Sequence, residues 1–510
     1  MTESTDSCAP PLQEIARLRE AGQLRDAAAL CKQGLRSAPN DPALLHQFGL
    51  TALAAGQADF AIEQLEKAVQ AAGTEAPAYQ PDLAFALAQA GYFGEALEVY
   101  RDVAEGRPDD ADVQYNFGTL LFGAEDLDAA ADAFEAAVSL APGFADAHGN
   151  LGSVRHAQQR YEDAAAAFRR ALEVLPDSAD LAHNLGTALK ALGQTVDAAE
   201  SYGRAASLAP DRADFHEKQG AALAEAGRFE EAAAAFRQAL ALEPDFVDAR
   251  TGLAETLIGL EQPAEAVSLC DDYLGRFGYN SGVIAAKAIA HADVGEGETA
   301  RYFLDLDRFL KPAEIPRPLG FADFAAFNAA LQAEARAHPS LTFEPPAVAT
   351  TAGYQTGDLF HDPEATPAIA ALQGAIDAAV RDYIASLPDE PMHPFVANAP
   401  ARWTLNGWTV ILQAQGHQRA HIHPDGWLSG VYYVQVPDSI GANDAGPQDG
   451  WIEFGRPPET IRYRHTPETR TIAPATGRML LFPSFLYHRT IPFEDAAERI
   501  SFAFDVIAAG

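Results

Sequence analysis

Apolar positions in the first three hundred residues recur at helical spacing, in paired runs. Ala145, His148, Leu151 and Val154 form one run, and Ala164, Ala167, Phe168, Ala171 and Leu172 form the next. The short Gln158–Tyr161 segment between them turns the chain, so the pair predicts a helix–turn–helix unit. The unit repeats. Prolines stand at Pro108, Pro142, Pro176, Pro210 and Pro244, each 34 residues after the last. Gly118, Gly152, Gly186 and Gly220 keep the same step, as do Ala130/Phe134, Ala164/Phe168, Ala198/Tyr202 and Ala232/Phe236. Each mark has a physical job. A proline between units stops a helix where its missing N–H costs nothing. Glycine and alanine let helices approach closely, and the aromatic is expected to fill the gap between one hairpin and the next.

The pattern fades after Ala290. Lys311 to Pro318 holds three prolines in seven residues, a stiff connector. Helices are predicted at Phe321–His338 and Thr366–Ser386. From about Arg402 the period shortens to two. Strands are predicted near Trp403–Gln413, Leu428–Val436, Trp451–Phe454, Thr469–Ala473, Arg478–Phe482, Tyr487–Ile491 and Ile500–Val506, the spacing of a β-sandwich or jelly roll. The glycine-rich, acidic Pro437–Gly450 segment reads as a loop able to act as a lid.

In period and in its small-residue, aromatic and proline positions, the first part resembles the tetratricopeptide repeat, over roughly residues 10–310. The end units are weaker matches: Gly49, Ala61, Ala96 and Tyr100 lie upstream, and Ala266 and Cys270 downstream. Frayed ends suit a stacked array. The resemblance implies a superhelix whose concave face holds a protein or peptide. Asn116, Asn150 and Asn184 recur on the first helix of each unit, either as peptide clamps or as bridges between helices.

Reactive chemistry concentrates in the second part. His421, His423 and Asp425 fall within five residues, and His488 follows 65 residues after His423. Residues two apart on a strand face the same way, so His421 and His423 would present both imidazoles to one point. His488 would close a third corner from another strand, leaving open positions on a metal. Arg499 and Ser501 share a face of the last predicted strand, and a guanidinium with a hydroxyl suits one end of a dicarboxylate. An isolated strand pair of histidines is commonly a mere surface or core feature. His488 and Arg499 at these offsets point to a metal. His361, His417 and His465 lack such companions.

The order His-Ile-His-Pro (421–424), Ser-Gly-Val-Tyr-Tyr-Val (429–434), Phe-Pro-Ser-Phe-Leu-Tyr-His (482–488) and Arg499 resembles a branch of the 2-oxoglutarate- and iron(II)-dependent oxygenases, over about residues 400–508. That resemblance implies iron(II) as metal and 2-oxoglutarate as cosubstrate, its far carboxylate on Arg499 and Ser501 with help from Tyr432 or Tyr433. The reaction would be decarboxylation of 2-oxoglutarate to succinate coupled to hydroxylation of a C–H bond. Two ligand sets stand open: His421, His423 and His488, or His423, Asp425 and His488. The branch holds no acid at the position of Asp425, which favours three histidines.

The expected architecture is a tetratricopeptide superhelix (10–310), a linker (311–320) and a jelly-roll oxygenase-like domain with a helical lead-in (321–510). Its expected function is hydroxylation of a protein or peptide recruited by the repeats. The alternative is a non-catalytic adaptor with an inactive docking domain. A formal charge of −36 argues against nucleic acid or anionic lipid as partner and is compatible with a basic peptide. Cys8, Cys31 and Cys270 are far apart with no Cys-x-x-Cys, as in a reducing cytoplasm. Met1–Leu12 lacks the character of a signal peptide, and no apolar run nears the ~20 residues of a membrane helix.

Overall fold

The computed structural model describes residues 12–315, 318, 320–345, 348–361, 366–440, 448–494 and 497–509. Met1–Pro11, with Cys8, lies outside the described residues, as do 441–447 of the expected lid and Pro316, Arg317 and Leu319 of the expected linker. The chain forms two compact units, 1–210 and 211–510.

The first unit is built of helical hairpins, among them Ala111–Gly123 with Leu127–Leu140, Ala145–Ala157 with Tyr161–Val174 and Ala179–Ala191 with Thr195–Leu208. Asp110, Asp126 and Ser178 cap helix starts by accepting backbone N–H bonds. The recurring glycine and aromatic meet each other. A Cβ added to Gly118, Gly152 or Gly186 would lie 2.9, 2.7 or 2.8 Å from the ring of Phe134, Phe168 or Tyr202. Each ring thus packs against the glycine of its own hairpin, and Phe236 also fills the gap to the next hairpin, where a Cβ added to Gly252 would lie 2.5 Å from its ring, as the sequence suggests. Asn150 Nδ2 donates to the Tyr115 hydroxyl of the preceding unit at 3.3 Å, a bridge between helices.

This sets a test. Glycine to alanine in a helix ordinarily gains up to about 1 kcal/mol. At Gly152 the methyl must displace a buried ring, and overpacking costs about 1–3 kcal/mol. Gly152→Ala should therefore lower the urea midpoint of unfolding, whereas Gly106→Ala, with nothing within 4 Å, should not.

In the second unit the hairpins continue through Ala213–Glu225, Phe229–Leu242, Val247–Gly259, Pro263–Phe277, Ser281–Val294 and Gly297–Leu304. Among the described residues ten strands follow: β1 (Lys311–Ala313), β2 (Thr342–Phe343), β3 (Thr350–Gln355), β4 (Trp403–Gln418), β5 (Leu428–Gln435), β6 (Ile452–Phe454), β7 (Arg470–Ile472), β8 (Met479–Pro483), β9 (His488–Thr490) and β10 (Arg499–Ala508). They form a seven-stranded sheet, β1-β8-β5-β10-β4-β3-β2, and a three-stranded sheet, β7-β6-β9, with every pairing antiparallel. Phe454 of β6 meets Phe482 of β8 edge to face at 4.9 Å, joining the sheets. Part of the expected connector is β1, paired to β8 at the sheet edge. Helices Phe324–Ala337 and Pro367–Ala385 flank the large sheet. Glu334 of the first accepts from Ala368 N, Ile369 N and Thr366 Oγ1 at the start of the second. Among the described residues, no helix is long and apolar enough to cross a membrane.

Candidate metal centre

Three imidazoles converge. The ligand nitrogens of His421, His423 and His488 all lie within 4.8 Å of one another. Metal–imidazole bonds of about 2.0–2.1 Å bring two such atoms to about 4 Å or less, so small side-chain rotations suffice to share one ion. The sequence placed His421 and His423 together on a strand. The structure gives His421 only a single bridge to His488, whose backbone N–H groups and carbonyls exchange at 3.1 Å. His423 lies past the bridge, beside Pro424, with its N–H on the Ser484 carbonyl at 3.0 Å. Loop and bridge, rather than strand alternation, aim the two rings.

The far side of each ring identifies the free nitrogen. His421 Nδ1 meets the Arg419 carbonyl at 2.7 Å and His488 Nδ1 the Leu486 carbonyl at 3.0 Å. His423 Nδ1 meets Asp505 Oδ2 at 2.8 Å. Carbonyl and carboxylate oxygens only accept, so each Nδ1 carries the proton and each Nε2 keeps its lone pair for the centre. Burial, with His423 alongside, pushes His421 down to about 4. Burial beside two other imidazoles holds His488 well below the ordinary range. Three imidazoles converging on one point are the donor set a divalent transition metal takes.

Asp425, the alternative ligand, is exposed in the turn after Pro424 and is not part of the converging group. Asp505, which the sequence reading missed, is the carboxylate in contact. Its other oxygen accepts from Ser429 Oγ at 2.6 Å, and Ser429 pairs with Ser484 at 2.8 Å. Asp505→Ala should weaken metal binding about 10–100-fold, as loss of the partner behind a ligating histidine does. Competition titration against a chelating dye measures it.

Arg499 and Ser501 lie on one face of β10 and are buried, at 1% and 2% exposure. With the three histidines they line a narrow cavity of about 20 Å³, room for about one water. It meets a wider pocket of about 280 Å³ at Trp408, Gln418, His421 and His423. The Arg499 guanidinium sits over the Tyr433 ring at 5.0 Å. Arg499 Nε and the Tyr433 hydroxyl are buried without a hydrogen-bond partner of good geometry. Burial lowers the arginine and raises the tyrosine. Orphaned donors beside a buried cation fit a carboxylate. A five-carbon dicarboxylate exceeds the cavity and would seat only if the lining side chains gave way. Tyr432 faces the other side of β5, where its hydroxyl donates to Asn328 Oδ1 at 2.8 Å.

Repeat helices hold the ligand segments. Ser281 Oγ donates to the Gly426 carbonyl at 2.6 Å and the Tyr279 hydroxyl to the Trp427 carbonyl at 3.3 Å. Trp427 stacks on Phe395 at 4.4 Å, and the Tyr487 hydroxyl donates to Glu255 at 3.3 Å.

Residues 406–505 match a family described as "Putative 2OG-Fe(II) oxygenase". Residues 115–179, 183–242 and 223–301 match tetratricopeptide repeat families. The chain thus joins tetratricopeptide repeats to an antiparallel β domain of the oxygenase kind, as its sequence suggests. No curated protein matches it. Among solved structures it is similar to YrrB, a tetratricopeptide protein described as having an unusual peptide-binding site, at 26% identity over 38% of this chain and 98% of that one, TM-score 0.35. It is also similar to the C-terminal part of a repeat protein from Cytophaga hutchinsonii, at 18% identity over 48% and 99%, TM-score 0.42. A third is MamA from Desulfovibrio magneticus RS-1, at 24% over 34% and 96%, TM-score 0.32.

Proposed function

We propose that this chain is a 2-oxoglutarate- and iron(II)-dependent dioxygenase that hydroxylates a protein or peptide recruited by its repeats. The observation that carries the reading is three imidazoles sharing one point, each with Nδ1 tied to an acceptor, beside a buried guanidinium whose Nε has no hydrogen-bond partner. His421, His423 and His488 would hold the metal. Arg499, Ser501 and Tyr433 would hold the far carboxylate of 2-oxoglutarate. When bound, iron and 2-oxoglutarate supply the oxidising chemistry, with release of succinate and carbon dioxide.

The protein's own work is placement. Asp505 fixes the His423 ring and its proton. Trp408 stacks on His423 at 5.5 Å, and the sheet buries Arg499 and Ser501 at the inner end of the cavity. The wider pocket beyond His421 and His423 leaves an approach for a substrate residue. We assign the repeats to 10–310, the connector to 311–320, the oxygenase-like domain to 321–510, and the protein to the cytoplasm.

Purified protein with iron(II), ascorbate and 2-oxoglutarate should release succinate, faster with cell extract present. No succinate under either condition overturns the enzyme. Partners retained by a metal-free His488→Ala protein alongside that failure would leave an adaptor.

A further inference from the structure

We propose that a groove on the repeat helices beside the metal-ligand loop takes a lysine or arginine side chain of the polypeptide substrate. The helices Ala213–Glu225, Val247–Gly259 and Ser281–Val294 present one face to a groove of about 430 Å³. Its far wall is Ile422 and Pro424. Ile422 is the residue between two of the converging histidines, so whatever lies in the groove touches the ligand loop itself.

Glu217, Glu225, Asp248 and Glu255 line the groove, with no lysine or arginine among its described lining residues, though Arg462 lies over the ring of Phe229 at 4.7 Å. Phe229, Phe236 and Val247 supply apolar wall between these carboxylates. That combination matches a side chain with an aliphatic stem and a charged head. Glu217 is 6% exposed, and the half-exposed Lys218 ammonium pairs with its Oε2 at 2.9 Å. Thr251 Oγ1 is buried without a partner and can accept from an incoming ammonium or guanidinium, which would also meet the carboxylates around it. Burial pushes Glu255 up to about 7, and a cation beside it would favour its charged form.

The occupant is an extended segment rather than a folded basic surface. Successive repeat helices and the ligand loop share the lining of the groove, and an extended chain advances about 3.3 Å per residue, so residues next to the seated cation would pass the ligand loop. The repeats would then set which residue is hydroxylated, by its distance from a basic neighbour. This deepens the oxygenase reading by naming its substrate class, and rests on that reading for turnover but not for binding.

The experiment is fluorescence anisotropy with full-length, metal-free protein. The probe is a fluorescein-labelled nine-residue peptide carrying three lysines among glycine and serine, and its counterpart carries glutamates. The lysine peptide should bind and the glutamate peptide should not. Glu217→Gln/Asp248→Asn should weaken binding about ten-fold, equivalent to 1.4 kcal/mol. Glu225→Gln/Asp248→Asn, at exposed positions that leave folding intact, should weaken it several-fold. Asp59→Asn/Asp102→Asn removes the same charge from exposed positions in the first unit and should change little. Equal binding of both peptides overturns the proposal, as does equal loss in the Asp59/Asp102 control, which would mean diffuse attraction to an acidic protein. Succinate release without lysine-peptide binding sinks the groove and leaves the oxygenase. Binding without succinate does the reverse.

Discussion

Replacing His488 with alanine should reduce metal content from about one ion per chain to near zero, and 2-oxoglutarate turnover to background. The argument is geometric. His488 is the only ligand of the three contributed by the small sheet, and its ring lies 4.3 Å from that of His421 and 5.1 Å from that of His423. Without it, the remaining pair offers an ion two nitrogens and an opening to solvent. Losing a partner behind a ligand costs about 10–100-fold in metal affinity, and losing the ligand itself must cost more. The fold should survive. The bridge to His421 uses backbone groups that alanine keeps, and the lost contacts with Phe454 and Phe482 cost about 1–3 kcal/mol. Metal analysis after native purification, with circular dichroism as the folding control, reads both. A folded variant that retains its ion would place that ion elsewhere and remove the basis of the enzyme reading.

Much of this arrangement was legible in the chain. The expected strands Leu428–Val436, Trp451–Phe454, Thr469–Ala473, Tyr487–Ile491 and Ile500–Val506 match observed strands to within one or two residues, because apolar alternation survives where one face is buried. What escaped had no such alternation. β3 reads Thr-Thr-Ala-Gly-Tyr-Gln and carries little apolar signal, and β1 contains a proline, which suits an edge strand. β4 runs on to Gln418 through Ala-Gln-Gly-His-Gln, which lacks apolar alternation. Three histidines were readable as a set because metal chemistry restricts residue type and count. The carboxylate behind them was not, because Asp505 lies 82 residues from its partner. A faint signal existed. Arg499, Ser501, Ala503 and Asp505 alternate along β10 with Ile500, Phe502, Phe504 and Val506, and polar residues at every second position of a buried strand imply a polar site on that face. The choice between Asp425 and His421 could not come from spacing alone, since Pro424 and the turn after it decide where Asp425 points.

The same face of β10 yields the other large effect. Arg499→Met should abolish succinate formation while leaving the protein without cosubstrate at least as stable as the native chain. Arg499 is 1% exposed, burial lowers its basicity, and its Nε has no partner. A desolvated cation without a counter-ion is a standing cost. The Tyr433 ring beneath it returns about 0.5–2 kcal/mol. Replacing buried charged groups with apolar side chains of similar volume is often neutral, or stabilising by about 1–4 kcal/mol. Methionine keeps the unbranched stem, so no cavity opens. A cation retained at such expense implies an anion that arrives later. In the zinc-loaded protein, which cannot turn over, 2-oxoglutarate at 100 times its dissociation constant should add about 2.7 kcal/mol of stability. The variant should gain nothing from the same addition. Thermal unfolding of both proteins with and without 2-oxoglutarate separates the possibilities. If the variant melts well below the native protein before any ligand is added, Arg499 is a structural residue of the sheet. If both are stabilised equally, the cosubstrate does not use this guanidinium, and its place in the cavity must be reassigned.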